Sequence, residues 1–138
     1  MNKAIRKTAI IMIMSALTLI FPATCRAKEY TEQELFERVV EAEAGNQGLT
    51  GKRLVAAVIY NRVESERFPD SIGEVLRAPH QFSTVWNGAV ERVEVSDETR
   101  IAVALETTDR TDPEILYFNN GKVSGRYAYT YKGHRFGK

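Results

Sequence analysis

Cysteine occurs once in the 138 residues, at position 25, and histidine only twice, at positions 80 and 134. One cysteine forms no intrachain disulfide, so a disulfide-stapled scaffold is excluded. Two histidines far apart, without ligand spacing, do not supply the three protein ligands of a catalytic zinc. No metal site and no cofactor is therefore expected. Proline is scarce, at four residues, and there is no internal repeat or low-complexity linker, which points to a single folded domain. The longest apolar run, residues 9–21, has 13 residues and contains Ser15 and Thr18. A spanning helix needs roughly 20, so a stable membrane anchor is not expected.

That run fits another role. Lys3, Arg6 and Lys7 precede it, Pro22 breaks it, and Ala27 offers a small residue before Lys28. This is the layout of a secretory signal peptide over residues 1–27, cleaved after Ala27. Pro22-Ala23-Thr24 suits lipidation of Cys25 poorly, so the only cysteine is expected to leave with the leader. The expected destination is the cell envelope or the outside of the cell.

Acidic residues are absent from 115–138, which carry Lys122, Arg126, Lys132, Arg135 and Lys138. The leader holds four of the 19 basic residues and none of the 18 acidic ones, so 28–138 has 15 against 18, a balance of −3. The basic end is interleaved with Tyr117, Phe118, Tyr127, Tyr129, Tyr131 and Phe136. Such interleaving suits nucleic acid, a groove for carboxylate-bearing sugars, or a strand edge protected by lysines. For an exported chain of net negative charge, nucleic acid is set aside.

Local signals divide 28–138 into helices followed by strands. Thr31 and Glu34 form a capping box over a helix reaching about Ala44, where Gly45 and Asn46 end it. A second helix, over about 51–63, is apolar on most sides and reads as the central core helix. Ser71 and Glu74 cap a short helix stopped by Pro79, and 80–88 reads as a loop. Ser96 opens a third long helix to about Thr107. Residues 115–119 and 126–136 read as strands around Asn119-Asn120-Gly121, a closing hairpin or small sheet.

Two glutamates stand out before the Gly45 break, Glu41 and Glu43. With about 100° per residue and Leu35 at zero, Val39 lies near ~40°, Phe36 near ~100° and Val40 near ~140°. Glu43 falls near ~80°, inside this apolar stripe, whereas Glu41 falls near ~240°, with Glu34 and Glu37 on the wet face. Glu41 is therefore expected to be a solvated helix residue. Glu43 has two readings. A backbone or arginine partner can satisfy it structurally. Alternatively, a partly apolar pocket holds it protonated, as the general acid of glycosidic cleavage requires.

The stretch "EAGNQGLTGKRLVAAVIYNRVESERFPDSIGEVL", with "HQFSTVWNG", "ILYFNNG" and "YKGHRFG" after it in order, resembles the cell wall hydrolases of the SleB and CwlJ type, the spore cortex-lytic enzyme family. The resemblance covers nearly all of 28–138. It implies an α+β fold, a mostly helical lysozyme-like domain with a small C-terminal antiparallel β element. It implies cutting of the peptidoglycan glycan strand, with Glu43 matching the family's catalytic acid. A lytic transglycosylase of this kind uses one glutamate and leaves a 1,6-anhydro end on N-acetylmuramic acid. Many relatives carry a second acidic residue four positions after that glutamate, where this chain has Gln47, and larger relatives carry an amino-terminal peptidoglycan-binding domain that is not expected here. No second carboxylate has an equally protected setting in the sequence, since Asp97, Asp109, Asp112 and Glu114 sit at helix starts or in polar loops.

Other candidates for the sugar cleft are Gln81 and Ser83 as hydrogen-bonders, Trp86 as a stacking platform or partial core, and Tyr117 and Asn119 on the first strand. His134 is expected to hydrogen-bond rather than to catalyse. The expected partner is peptidoglycan, met by a monomer. Other readings are a hydrolytic muramidase using a second carboxylate such as Glu91 or Asp97, an N-acetylmuramoyl-L-alanine amidase, and a wall-binding module in which Glu43 is structural.

Overall fold

The first helix, α1 (Glu32–Ala44), begins with the capping box the sequence predicts. The Glu34 amide donates to Thr31 Oγ1 at 3.2 Å, and the Thr31 amide donates to the Glu34 carboxylate at 2.9 Å. The computed structural model describes residues 28–138, so the expected signal peptide lies outside the described residues. Leu35, Phe36, Val39 and Val40 are the buried stripe of α1, as the wheel places them. Helix α2 (Gly48–Glu64) starts earlier than predicted and is buried throughout 54–59, which makes it the core helix. It packs on α1, on the short α3 (Ile72–Arg77), on α6 (Asp97–Thr108) and on the first strand. Gly51 permits this centrality, because a Cβ there would meet the Tyr131 ring at 3.1 Å and collide with the Gln47 side chain.

Three expectations need correction. The predicted loop over 80–88 contains a helical turn, α4 (Ser83–Trp86), and another turn follows, α5 (Ala89–Arg92). Strands β1 (Tyr117–Asn119), β2 (Tyr127–Tyr131) and β3 (His134–Gly137) form a sheet of order β1-β3-β2, antiparallel throughout. The hairpin is therefore β2–β3, and it turns at Lys132-Gly133 rather than at Asn119-Asn120-Gly121. Both turn residues have positive φ, 42° and 89°, the conformation that a two-residue hairpin loop demands. The third correction concerns carboxylates. Glu106 on α6 is fully buried. It accepts from Arg53 Nε at 3.1 Å and from the Thr111 amide and hydroxyl at 2.7 Å each, which makes it a structural ion pair.

The buried side chains form two clusters. One joins α1, α2 and α3 with Phe82, Val90 and Val103. The other joins the far side of α2 (Leu54, Ala57, Val58) to Ile115 and Phe136 under the sheet. Phe118 of β1 packs against both clusters. The end of α1 and the sheet thus face each other across a cleft floored by Phe118. Among the described residues, no helix is long and apolar enough to cross a membrane.

Candidate active site

Glu43 lies on the last turn of α1, the turn that Gly45 ends. It is half-buried, and its Oε1 accepts one hydrogen bond, from the Thr84 hydroxyl of α4 at 2.8 Å. Burial pushes the Glu43 carboxyl above its ordinary value, and the Thr84 bond only partly opposes this. Among the described residues no cation pairs with it. The group is a poorly solvated carboxyl in a cleft, held in direction by one hydroxyl.

Glu41, two residues earlier, has the opposite environment, and its expected solvation does not hold. Its Oε2 accepts from the Ser96 amide at 3.0 Å, from the Ser96 hydroxyl at 2.8 Å and from the Thr99 hydroxyl. Lys52 Nζ stands 4.0 Å away. Burial pushes this carboxyl up, but the Thr99 and Ser96 bonds and the Lys52 charge outweigh it, and the carboxyl ends below its ordinary value. Glu41 is an ionised tie between α1 and the start of α6. A helical wheel describes one helix, and this partner arrives from 55 residues away.

A cavity of 330 Å³ opens beside Glu43 and is lined also by Arg62, Gln81, Ser83, Asn119 and His134. The sequence-predicted residues Glu43, Gln81, Ser83, Asn119 and His134 are thus brought together from α1, the α3–α4 segment, α4, β1 and β3. A 590 Å³ cavity shares Glu43 and His134 with the first and extends past Glu41 to Lys132. On the other side, Ser83 is shared with a 620 Å³ cavity lined by His80 and Trp86. The three make one groove with Glu43 in its middle stretch. Trp86 is 62% exposed, so the partial-core reading fails and its ring is free at the groove's far end. Tyr117 does not join the site. It lines none of the three cavities, and its ring packs instead against Phe68 at 6.1 Å, with Arg62 and Arg67 over it.

His134 is buried against Phe118, with ring centroids 5.4 Å apart, and desolvation lowers its imidazole below the ordinary value, so it is neutral near pH 7. Sequence reasoning missed Thr84 and Arg62. Thr84 was hidden because its segment read as loop. Arg62 was visible only as part of Asn61-Arg62-Val63, whose physical role is now clear. Asn61 donates to the Asp112 and Ile115 carbonyls at 2.8 Å each, and Arg62 Nε donates to the Leu116 carbonyl at 2.8 Å. The end of α2 therefore fixes the segment that becomes β1. Burial pushes the Arg62 guanidinium down to about 10, which leaves it charged at neutral pH.

A family model described as Cell Wall Hydrolase matches residues 46–138, a span that begins just past Glu43. A spore cortex-lytic enzyme of Oceanobacillus iheyensis is 32% identical over 99 residues, 70% of this chain and 36% of the relative. One from Halalkalibacterium halodurans is 34% identical over 100 residues, 70% of this chain and 30% of the relative. The chain thus spans about a third of the length of these curated relatives. The crystal structure of the catalytic domain of the Bacillus cereus SleB protein superposes with a TM-score of 0.67 at 26% identity, covering 81% of this chain and 94% of that domain. The catalytic domain of the germination-specific lytic transglycosylase SleB of Bacillus anthracis gives 0.66 at 25% identity, covering 81% and 99%. The α+β architecture expected from the sequence is the fold of these catalytic domains, and by its family match over most of its length the chain belongs to the cell wall hydrolase family.

Proposed function

We propose that the chain is an exported enzyme that cleaves peptidoglycan glycan strands as a lytic transglycosylase, with Glu43 as its single acid/base. The observation that carries this reading is the Glu43 carboxyl, raised by burial, at the middle of an open groove. A carboxyl that holds its proton to higher pH than an ordinary glutamate can donate it to the oxygen bridging N-acetylmuramic acid and N-acetylglucosamine. The C1–O bond breaks as that oxygen takes the proton. The muramic acid C6 hydroxyl then attacks C1 and returns its proton to the Glu43 carboxylate. The product is a 1,6-anhydro ring, no water is consumed, and the acid is regenerated. Thr84 orients the carboxyl, and neutral His134 and Phe118 stand beside it without adding a charge of their own. The exposed Trp86 ring offers a sugar-stacking face farther along the groove. Export rests on the leader-like residues 1–27.

Hydrolysis is the second reading, because Glu41, an ionised carboxylate, lines the groove next to Glu43. Two carboxyls with pKa values driven apart are the pattern of an inverting or retaining pair. The three donors on Glu41 Oε2 favour its structural role over that of a base. Mass spectrometry of muropeptides released from purified sacculi separates the readings. Anhydro ends support the transglycosylase, reducing ends the muramidase, freed stem peptides an amidase, and an undigested wall a binding module.

A further inference from the structure

Asn119-Asn120-Gly121 carries a strong turn signal, yet the hairpin forms elsewhere. The segment follows β1 into the groove, and Asn120 lines both cavities that Glu43 lines. Asn120 and Gly121 are exposed and lie outside any helix or strand. The Asn120 carboxamide has no hydrogen-bond partner among the described residues. The fold does not require glycine at 121. Its φ is not positive, and a Cβ there would meet only Asn119 Oδ1, at an ordinary 3.6 Å.

Asparagine is among the thermolabile side chains, and a free one before glycine has a chemistry of its own. The backbone nitrogen of residue 121, once it loses its proton, attacks Cγ of Asn120. The new N–Cγ bond closes a succinimide ring, and the Cγ–Nδ2 bond breaks to release ammonia. Water then opens the ring at either carbonyl and leaves aspartate or isoaspartate at position 120. Nothing is oxidised or reduced. Without a Cβ on residue 121, the attacking nitrogen is uncrowded. The chain has a second Asn-Gly pair in the groove wall, Asn87-Gly88, and the structure separates the two. The Asn87 amide donates to the Ser83 carbonyl at 2.9 Å, and Asn87 Oδ1 accepts from the Ala89 amide at 2.9 Å. Its ψ of 5° turns the Gly88 nitrogen away from the Asn87 side chain. At Asn120 one restraint stands instead. Asn119 Oδ1 accepts from the Gly121 amide at 2.8 Å and so holds the proton that must leave.

We propose that Asn120 is a site of spontaneous deamidation, slowed by Asn119, through which the protein acquires with age a new carboxylate in the groove that holds Glu43. The modification itself does not depend on the glycan-strand reading; its consequence for catalysis rests on that reading. The charged and titratable groups of the two cavities are Glu41, Glu43, Arg62, Lys132 and His134. Lys132 already donates to the Gln47 carbonyl at 3.1 Å, and Arg62 to the Leu116 carbonyl at 2.8 Å and to Gln81 Oε1 at 3.0 Å. His134 is neutral near pH 7. A further negative charge among them disfavours ionisation of Glu43. The aged enzyme should therefore keep its acid protonated, and keep cutting, to higher pH.

The test incubates the purified, folded protein in mildly alkaline buffer and follows the peptides carrying Asn87 and Asn120 by mass spectrometry, with an isoaspartate assay beside it. The amide at Asn120 should be lost while the amide at Asn87 stays intact. Gly121→Ala, for which the backbone has room, should slow the loss by crowding the attacking nitrogen. Asn119→Ala should speed it by freeing the Gly121 amide. Loss at Asn87 first, or at both sites equally, overturns the proposal. So does an unchanged rate in Gly121→Ala. An Asn119→Ala protein no faster than the parent overturns the part given to Asn119. The catalytic consequence is read on Asn120→Asp, whose muropeptide release should decline at higher pH than that of the parent. A decline at the same pH overturns that consequence and leaves the modification standing. If neither protein releases muropeptides from sacculi, the glycan reading falls, and the peptide masses still decide whether Asn120 is the modified residue.

Discussion

Replacing each of the neighbouring glutamates by glutamine should change stability in opposite directions at pH 7. Glu41 accepts three hydrogen bonds on one oxygen with its side chain 13% exposed. Hydrogen bonds to a charged group contribute roughly 1.5–3 kcal/mol each and do not add fully. Glutamine retains an acceptor but loses the charge, so Glu41→Gln should cost about 1.5–3 kcal/mol. For a domain of this size that lowers Tm by on the order of 10 °C. Glu43 has a single neutral donor and a raised pKa, so its ionised form is the one the fold disfavours. Glu43→Gln should therefore stabilise by about 0.5–2 kcal/mol at pH 7, as relief of a strained functional group commonly does. The pH dependences run in opposite senses. Glu41, with its pKa lowered in the fold, contributes stability above the ordinary 4.5, which is lost as pH falls through its folded value. Glu43, with its pKa raised, costs stability as pH rises from 4.5 through its folded value, so the glutamine gain should vanish below pH 4.5. Thermal unfolding of both variants from pH 3.5 to 8 checks this. An unchanged Tm for Glu41→Gln at pH 7, or a loss for Glu43→Gln there, would refute the assignment of one structural and one functional carboxylate.

Cleavage by the wild-type enzyme should decline as pH rises through the raised Glu43 pKa, since only the protonated form donates; a rate that climbs through that range would mean Glu43 acts first as a base. Chelation with EDTA should leave wall lysis unchanged, because the two histidines lack ligand spacing. Loss of lysis restored by zinc would instead support the amidase. Exposed Lys122 and Arg126 are expected to contact wall carboxylates, so reversing both to Glu should weaken sacculus binding most at low salt, with a Debye length of about 10 Å at 0.1 M. Binding unaffected at low salt would leave those strands with edge protection alone.

Much of the fold was written in local signals. Thr31, Ser71 and Ser96 each cap a helix as the sequence indicates, because capping depends on residues three apart. The placement of Glu43 toward the interior was legible for a related reason, since the apolar stripe of α1 fixes which face turns inward. What was illegible depended on partners distant in sequence. Glu41 looked solvated because Ser96 and Thr99 are not in its helix. The burial of Glu106 could not be read from its own helix, because Arg53 and Thr111 close around it only in the fold. The hairpin was misplaced because Asn-Asn-Gly is a strong turn signal, and its Asn119 does make a local turn onto Gly121, while the left-handed Lys132 carries no such mark. Arg62 was read as a motif letter, and its hold on Gln81 spans 19 residues.

The central claim is that Glu43 donates the proton, and the most direct measurement is the rate of muropeptide release from sacculi by Glu43→Gln and Glu41→Gln, each assayed at a temperature where circular dichroism shows it folded. Glutamine at 43 keeps shape and hydrogen bonding but has no acidic proton, so release should fall by roughly 10²–10⁴, the usual contribution of general acid–base catalysis. Glu41→Gln, once folded, should keep most of the wild-type rate, because its carboxylate serves α1 and α6 rather than the substrate. A folded Glu43→Gln enzyme that still releases muropeptides at the wild-type rate, or an inactive folded Glu41→Gln, would contradict the account.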